Sequence, residues 1–337
     1  MKNKKLSPEK ILEMNWAYAK TSVLASAVEL GIFTHIDHGK KTVEQIAKAA
    51  KSNRSGTERL LNALVGLGLV NKNKAGIFSL KPESAAFLVL GKPGYLGDMS
   101  VHSLQLGRTW LNLTQSVRSG KPHNIIMDQK DNAEDAMPRL VRGLFQMNYP
   151  CAKFAASYLK AKHKKISDIL DVASGSGVWS IAIVEEFKAA RVTALDFPEI
   201  LAITREFVNR HKLSSRYKYS SGDLRDIDFG DERFDLIILG HICHSEGKIH
   251  TQQVIKKSFR ALRPGGTLLV AEFLLNNDKT GPLMPLLFAL NMLLNTDEGD
   301  VFTTNELKRW IIDAGFGRVG VLGKTPSVSP LIVAVKK

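Results

Sequence analysis

The sequence predicts an α/β protein in which a doubly wound, mostly parallel seven-stranded sheet follows a mainly helical amino-terminal domain. From about residue 163 onward, short apolar segments alternate with amphipathic helical segments. Such alternation is typical of a parallel sheet with helices on both faces. The first 100 residues instead show helical spacing and one pair of short apolar stretches. With 337 residues, 44% of them hydrophobic, the chain can build two moderate cores.

The amino-terminal elements follow the order of a winged helix. Pro8 opens a helix that we expect to continue to Gly31, because apolar residues recur at helical spacing between them. Thr42 and Gln45 form a capping-box pattern at the start of the next helix. The amphipathic segment SGTERLLNALVGLGLV comes next, and two short apolar stretches then flank a turn at Gly76. We interpret residues 1–100 as a winged-helix-like dimerisation domain.

The net charge of +14 raises the question of an anionic partner. The lysines are spread along the chain without aromatic interleaving, which favours a solvated surface over a nucleic-acid patch. The last helix of a winged helix can enter a major groove, but RSGTERLLNALVGLGLV offers few polar groups for base edges. We therefore expect a structural or dimerising role for this domain and no nucleic-acid partner.

Two further features concern location and redox state. No apolar run reaches the ~20 residues that cross a bilayer, and the basic amino terminus lacks the apolar centre of a secretion signal. We expect no membrane span and a cytoplasmic protein. Cys151 and Cys243 are the only cysteines, which predicts reduced thiols without a disulfide framework.

The rest of the chain supplies connecting helices and then the sheet. Helical spacing returns from about Ser103, and residues 101–162 are predicted to connect the domains and to contribute to an acceptor pocket. Residues 163–337 form the predicted Rossmann-like domain. A second capping box, Thr303 with Glu306, opens one of its later helices. The seven strand candidates are ISDILDVAS, RVTALDF, RYKYSSG, RFDLIILGHI, GTLLVAEFLL, GRVGVLG and PLIVAVKK.

A glycine-bearing turn joins the first of these strands to a helix. In DILDVASGSGVWSIA, Gly175 and Gly177 allow the backbone to approach a ligand closely, but Ser180 stands where a dinucleotide fingerprint has its third glycine. Asp196 ends the second strand, where its carboxylate can accept hydrogen bonds from ribose hydroxyls. Asp223 ends the third strand, where it suits an adenine amino group. The three strand ends together predict a nucleoside site.

These motifs resemble those of the class I S-adenosylmethionine-dependent methyltransferases. The motifs match in order and spacing over nearly the whole chain. The winged-helix start makes the resemblance more specific, because it points to one group within this class. The chain looks like the small-molecule O-methyltransferases that include plant caffeate and hydroxyindole enzymes and bacterial natural-product tailoring enzymes. It implies S-adenosylmethionine as cofactor, a small aromatic or polyketide-like acceptor methylated on a hydroxyl, and a homodimer through the amino-terminal domain. The segments that carry it are ILDVASGSG, ALDFPEI, SSGDL, RFDLIILGHICHSEG, ALRPGGTLLVAEF and TTNELKRWIIDAGF.

The same resemblance assigns the cofactor site. The glycine loop would pass the methionine part and the ribose, Asp196 would bind the ribose, and Asp223 with Leu224 would frame the adenine. A lysine that is frequent four residues before the family's histidine is Gly240 here. The expected cofactor-binding residues are Ala173, Ser174, Gly175, Gly177, Asp196, Asp223, Leu224, Gly240 and His241.

The segment LGHICHSEG contains two histidines that permit different chemistries. If the strand continues through it, His241 and His244 point to opposite faces, which argues against a shared metal ion, and we expect none. The resemblance implies that His244 is the general base, and a neutral imidazole can take a proton from a phenol or enol hydroxyl. Glu272, after the fifth strand, is predicted to orient it. His241 is expected to form a pocket wall.

Two positions depart from the family pattern around this histidine. The usual Asp-Trp after it is Ser245-Glu246, and the family's second acid aligns with Val301, next to Asp300. These departures concern how the base is oriented.

The acceptor pocket is predicted to use the connecting helices and the insertion PLMPLLFALNMLLNTDEGD. Packing of helix on helix would explain the same side chains individually. Two other functions remain as alternatives: a nucleic-acid methyltransferase, or a non-catalytic winged-helix regulator that senses a ligand. The expected lining residues are Phe145, Met147, Met284, Phe288, Asn291 and Met292.

Overall fold

The computed structural model describes residues 6–123, 130–162, 165–327 and 329–337. The chain divides into two compact units, Met1–Arg108 and Thr109–Lys337. The three-part division after residues 100 and 162 stays a prediction. No helix in the described ranges is long and apolar enough to span a bilayer.

The first unit has the predicted order of helices followed by a hairpin. Its core buries Phe33, Ile46, Leu61 and Phe78 almost completely. Val70 pairs with Leu80 in the antiparallel hairpin. In chain order the elements are α1 (Glu9–Asn15), α2 (Ala17–Glu29), α3 (Ile32–Asp37), α4 (Val43–Ala49), α5 (Arg54–Gly66), β1 (Val70–Lys72), β2 (Phe78–Leu80), α6 (Pro82–Phe87) and α7 (Gly97–Trp110), the last of which ends just inside the second unit.

One helix of the first unit differs from the prediction. The expected single helix to Gly31 is interrupted at Trp16, whose ψ of 3° takes the backbone out of helical geometry. The second segment ends at Glu29, and Gly31 has a left-handed φ of 63° that starts the next helix. Apolar spacing does not reveal a break of this kind because the pattern resumes in phase. The capping box at the start of α4 is confirmed.

The second unit begins with helices and continues as alternating strands and helices. The capping box that opens its last helix is confirmed. The elements are α8 (Leu113–Ser119), α9 (Lys130–Lys162), β3 (Asp168–Val172), α10 (Val178–Glu186), β4 (Arg191–Asp196), α11 (Pro198–Arg210), β5 (Tyr217–Ser221), β6 (Phe234–Gly240), α12 (Cys243–Ala261, kinked at Gly247), β7 (Leu262–Ala271), α13 (Leu283–Asn295), α14 (Thr304–Asp313), β8 (Arg318–Leu322) and β9 (Leu331–Val335).

The seven strands form one mostly parallel sheet in the order β5-β4-β3-β6-β7-β9-β8. Strands β3 to β7 pair in parallel, whereas β9 runs antiparallel to both of its neighbours. Successive residues of β3 enter different cores: Ile169 belongs to the one that includes α10 and α11, and Leu170 to the one that includes α12 and α14. Helices therefore cover both faces, which confirms the doubly wound prediction.

This topology places the ends of four parallel strands side by side. Val172 at the end of β3 pairs with Leu195 of β4 and Leu239 of β6, and Asp196 pairs with Ser221 of β5. Side chains that follow these strands therefore meet at one edge of the sheet, where open α/β sheets bind ligands.

Candidate active site

The loop between β3 and α10 is built for close approach of a ligand. Ala173, Gly175 and Gly177 have left-handed φ values of 53°, 55° and 74°. The Thr204 hydroxyl of α11 donates to the Gly175 carbonyl at 2.7 Å and lies 3.3 Å from the Ser174 hydroxyl. A Cβ at Gly175 would meet only one side-chain atom within 4 Å. Thr204 therefore fixes the loop on one side, and the loop leaves space for a ligand at Gly175.

Asp196 ties the end of β4 to this loop. One oxygen of its carboxylate accepts a hydrogen bond from the Gly175 amide at 2.8 Å, and the other accepts from the Phe197 amide at 2.8 Å. Burial raises the pKa of Asp196 although both hydrogen bonds oppose that effect. The carboxylate thus lies at the shared edge of β3 and β4.

Asp223 and Leu224 follow β5 and complete the row of strand ends. The Asp223 carboxylate accepts a hydrogen bond from the Arg225 amide at 2.8 Å, which shapes the turn. Leu224 is buried and offers an apolar surface beside this half-buried acid.

Sequence reasoning missed a buried acid beneath the loop. Asp171 lies inside β3, accepts a 2.5 Å hydrogen bond from the Ser180 hydroxyl, and is 1% exposed. The Tyr217 hydroxyl donates to Ser180 at 3.1 Å. Burial raises the pKa of Asp171 to about 7. In the sequence, Asp171 is recognisable as an acidic residue inside an otherwise apolar strand segment.

The groups at these strand ends suit the nucleoside part of S-adenosylmethionine. Neighbouring strand ends present an open glycine loop, a carboxylate for hydroxyl groups, and an apolar side chain beside a second acid. No basic phosphate clamp is required, because this cofactor carries no phosphate. The residues present therefore fit the cofactor.

The two histidines converge, and the expectation that they point apart is wrong. Strand β6 ends at Gly240, and His241 has a φ of 60°, so strand alternation no longer applies. His244 Nδ1 lies 2.7 Å from Glu272 Oε1, and His241 Nδ1 lies 3.8 Å from the same oxygen. One ligand atom from each of the three residues lies within 4.8 Å of the others, a spacing that could hold a metal ion. The geometric argument against a shared ion thus fails.

Glu272 holds His244 at two points. Besides the ring contact, its other oxygen accepts a hydrogen bond from the His244 amide at 3.2 Å, and the carboxylate is 1% exposed. Burial, the largest single influence, would raise the pKa of Glu272, but the two histidines and the hydrogen bonds from His244 and the Phe273 amide together lower that pKa. The imidazole therefore faces an ionised partner that fixes its orientation.

His241 is a neutral neighbour of this pair. Burial lowers the pKa of His241 to about 4, against the opposing effect of Glu272. Its amide donates to the Ala271 carbonyl at 2.8 Å, which fixes the backbone beside β7. Its ring is close to those of Trp179 and Phe273, with centroid distances of 6.0 and 5.1 Å.

The positions that depart from the family pattern make other contacts. Glu246 is buried and pairs with Arg225 at 2.9 Å. Val301 is buried, while the Asp300 amide donates to the His244 carbonyl at 2.9 Å. Among the described residues, Glu272 is the one acidic side chain that contacts the His244 ring.

Trp179 explains the glycine at position 240. A Cβ on Gly240 would lie 2.6 Å from Trp179 Nε1, closer than real side chains approach. Trp179 is 3% exposed in the first turn of α10. The indole therefore occupies the space that a side chain at position 240 would need.

We expect Gly240→Ala to lower the free energy of unfolding by about 1 to 3 kcal/mol, because the methyl overpacks the contact with Trp179. The loss should shrink in a Trp179→Ala background, where the indole is absent. Thermal and denaturant unfolding of the single and double variants measure this coupling. Gly66→Ala, which adds the same methyl to open space in α5, is the matched control. An equal loss in both backgrounds would contradict the contact.

Phe288, Asn291 and Met292 are three of the six predicted acceptor-lining residues, and all three lie on α13. Phe288 contacts the site directly, since its ring lies edge-on to His244 at 4.9 Å and 4.5 Å from Phe273. Met292 is buried on the same helix. Asn291 accepts hydrogen bonds from the Asn295 amide group through its carbonyl and side-chain oxygens.

The other three predicted lining residues lie elsewhere or are exposed. Phe145 stacks on Phe207 with ring centroids 4.4 Å apart and packs α9 against α11 in the core, so its role as pocket lining stays a prediction. The helical spacing of Phe145 in the sequence fits either pocket lining or core packing. Met147 is 44% exposed on α9 and Met284 is 47% exposed on α13.

The sheet and its edge define a nucleoside-binding α/β protein with a buried histidine–carboxylate pair. Comparison with known proteins specifies the family. A model of the O-methyltransferase domain matches residues 110–317, and a model of the O-methyltransferase dimerisation domain matches residues 12–89. The chain belongs to the O-methyltransferase family and is an S-adenosylmethionine-dependent enzyme.

Curated relatives and solved structures agree with this family. The tetracenomycin polyketide synthesis 8-O-methyl transferase of Streptomyces glaucescens is 29% identical over 92% of this chain and 91% of its own length. Acetylserotonin O-methyltransferase of Bos taurus is 28% identical over 88% of each chain. Human N-acetylserotonin methyltransferase, solved in complex with SAM, shares the fold with a TM-score of 0.84 at 22% identity, covering 100% of this chain and 99% of that one.

Proposed function

We propose that this enzyme transfers a methyl group from S-adenosylmethionine to a hydroxyl of a small aromatic or polyketide-like molecule, with His244 as the general base. The observation that carries the proposal is the buried contact of 2.7 Å between His244 Nδ1 and Glu272 Oε1. His244 follows β6, and β6 is the neighbour of β3, which leads into the glycine loop. The names of the polyketide and acetylserotonin relatives support the acceptor class.

The proton path follows from the tautomer that Glu272 selects. Because a carboxylate only accepts hydrogen bonds, His244 carries its proton on Nδ1 and presents the lone pair of Nε2. Nε2 takes the proton of the acceptor hydroxyl, and Glu272 stabilises the imidazolium that results. When bound, the cofactor supplies an electrophilic methyl group on a sulfonium. The Phe273 and Phe288 rings lie next to this imidazole, with centroids 6.1 and 4.9 Å away.

The cofactor would lie across the ends of β3, β4 and β5. The loop amides and carbonyls would contact its amino-acid part, and Asp196 its ribose hydroxyls. Asp223 and Leu224 would frame the adenine. The set that we assign to this role comprises Ala173, Ser174, Gly175, Gly177, Asp196, Asp223, Leu224 and Gly240, and it leaves out His241, whose ring lies beside that of His244.

Asp196→Asn should weaken binding of S-adenosylhomocysteine by about 10- to 100-fold, because charge-assisted hydrogen bonds are each worth about 1.5 to 3 kcal/mol. The amide also keeps one acceptor oxygen rather than two for the Gly175 loop and the ribose. Calorimetric titration measures the loss. Asp313→Asn, at an exposed position on α14, should bind like the wild type. Unchanged affinity in Asp196→Asn would remove this residue from the site.

The acceptor would enter beside α13, and the enzyme would act as a homodimer. Phe288, Asn291 and Met292 are proposed to line the pocket with Met284, which is 47% exposed near the start of the same helix. Large apolar side chains at the start of the chain are exposed, which supports a partner surface within the region that matches the dimerisation domain. Leu12, Met14, Trp16 and Tyr18 lie inside that region, and Ile11 directly precedes it.

Direct assay tests this function. The full-length protein is incubated with S-adenosylmethionine and a panel of hydroxylated aromatics, and products are identified by mass and by the NMR shift of the new methyl group. We expect a methyl group on oxygen. Transfer to nitrogen or carbon alone, or calorimetry that detects no binding of S-adenosylmethionine, would contradict the proposal.

A further inference from the structure

The Nε2 atom of His241 is buried and has no hydrogen-bond partner within the described parts of the chain. A polar atom that has lost water without gaining a partner costs free energy, so such atoms are rare and call for an explanation. The His241 backbone is also strained, since a φ of 60° is uncommon for a residue other than glycine. Strained residues with unpaired polar atoms cluster at binding sites.

The contact with Glu272 indicates which nitrogen carries the proton. His241 Nδ1 lies 3.8 Å from Glu272 Oε1, the oxygen that also faces His244 Nδ1. The carboxylate favours a proton on the nitrogen that faces it in each ring. Both histidines then present the lone pair of Nε2. A hydrogen bond to Glu272 sets this tautomer in His244, whereas in His241 only the charge of the more distant carboxylate favours it.

The surroundings fix the His241 ring beside the base. Its centroid lies 6.3 Å from that of His244, and the Trp179 and Phe273 rings are close to it. Aromatic rings offer no strong acceptor or donor along their faces to satisfy Nε2. A bound molecule that carries an O–H or N–H donor can supply the missing partner.

We propose that His241 is a second acceptor-binding residue, whose Nε2 accepts a hydrogen bond from a hydroxyl adjacent to the one that is methylated. The inference rests on the proposed function, because His244 Nε2 takes the proton of the first hydroxyl. The two imidazoles are close enough for one aromatic ring to reach both. The preferred acceptor is therefore an aromatic molecule with two neighbouring hydroxyls.

The test compares 2,3-dihydroxynaphthalene with 2-naphthol, which lacks the second hydroxyl. Each probe is titrated calorimetrically into the full-length protein saturated with S-adenosylhomocysteine. We expect the wild type to bind the diol about tenfold more tightly, since one hydrogen bond in a buried site is worth roughly that factor. His241→Phe keeps a ring close to Trp179 and Phe273 but should abolish the preference. His241→Gln supplies an acceptor oxygen and should restore part of it.

The control variant is His250→Phe, which removes a histidine from the second part of α12, where it pairs with Glu298. It should retain the preference for the diol. Equal binding of the two probes by the wild type, binding of neither, or an unchanged preference in His241→Phe would overturn the inference. Methyl transfer to the oxygen of 2-naphthol with no preference for the diol would leave the proposed function intact and reject only this role of His241.

Discussion

His244→Ala should lower kcat for methyl transfer by about 10²- to 10⁴-fold, the usual contribution of a general base. The alanine removes the imidazole whose Nδ1 lies 2.7 Å from Glu272 Oε1, and with it the proposed proton acceptor Nε2. Affinity for S-adenosylhomocysteine should stay near that of the wild type, because the glycine loop and Asp196 lie on other strands. Single-turnover rates and calorimetric titration measure the two quantities separately.

Removing a histidine elsewhere supplies the control for this experiment. His250→Ala alters a side chain that is a quarter exposed on the same helix, and its turnover should match the wild type. Turnover of His244→Ala equal to that of the wild type would reject the base assignment. A loss of cofactor affinity in parallel with the rate would assign the residue to cofactor binding instead.

Glu272→Gln should lower kcat by roughly 10²- to 10⁴-fold, as loss of the orienting carboxylate does in other histidine-based sites. Glutamine preserves the size of the side chain but can donate to His244 Nδ1, which would place the imidazole proton on Nε2, where the base must be free. It also removes the charge that stabilises the imidazolium. The rate of the chemical step measures both effects, and a Glu272→Asp variant tests whether a carboxylate restores part of the rate.

The same substitution has a defined effect on stability against pH. Because the pKa of Glu272 is lowered in the folded protein, its ionised form stabilises the fold above the ordinary value of 4.5. That contribution is lost as the pH falls through the folded pKa. The difference in free energy of unfolding between wild type and Glu272→Gln should therefore shrink on acidification below 4.5. Glu83→Gln, at an exposed position, should show no such trend.

Local sequence patterns predicted most of the second unit. Short apolar segments such as RVTALDF and the glycine turn before VWSIA identify strands, a loop and a helix without knowledge of their neighbours. Parallel pairing then places Asp196 and Asp223 at one edge of the sheet, because consecutive strands end on the same side. The capping boxes at Thr42 and Thr303 were predictable for the same reason, since each depends on residues three apart.

Other features depend on contacts between distant segments. Phe145 has the spacing of a lining residue, but its partner Phe207 is on another helix, and only packing assigns it to the core. Gly240 stands where the family frequently has a lysine. The side chain that leaves no room at this position is Trp179, 61 residues earlier in the chain.

The sequence by itself determined the fold class, the family and the strand ends that carry the proposed cofactor-binding residues, because these follow from short local patterns and motifs. Only the tertiary structure decided the direction of His241 and His244. Strand β6 ends at Gly240 and the next residue adopts a left-handed backbone, so two side chains expected on opposite faces converge on one buried carboxylate from β7. A side chain's direction at a strand end depends on one pair of backbone angles, and tertiary packing sets those angles.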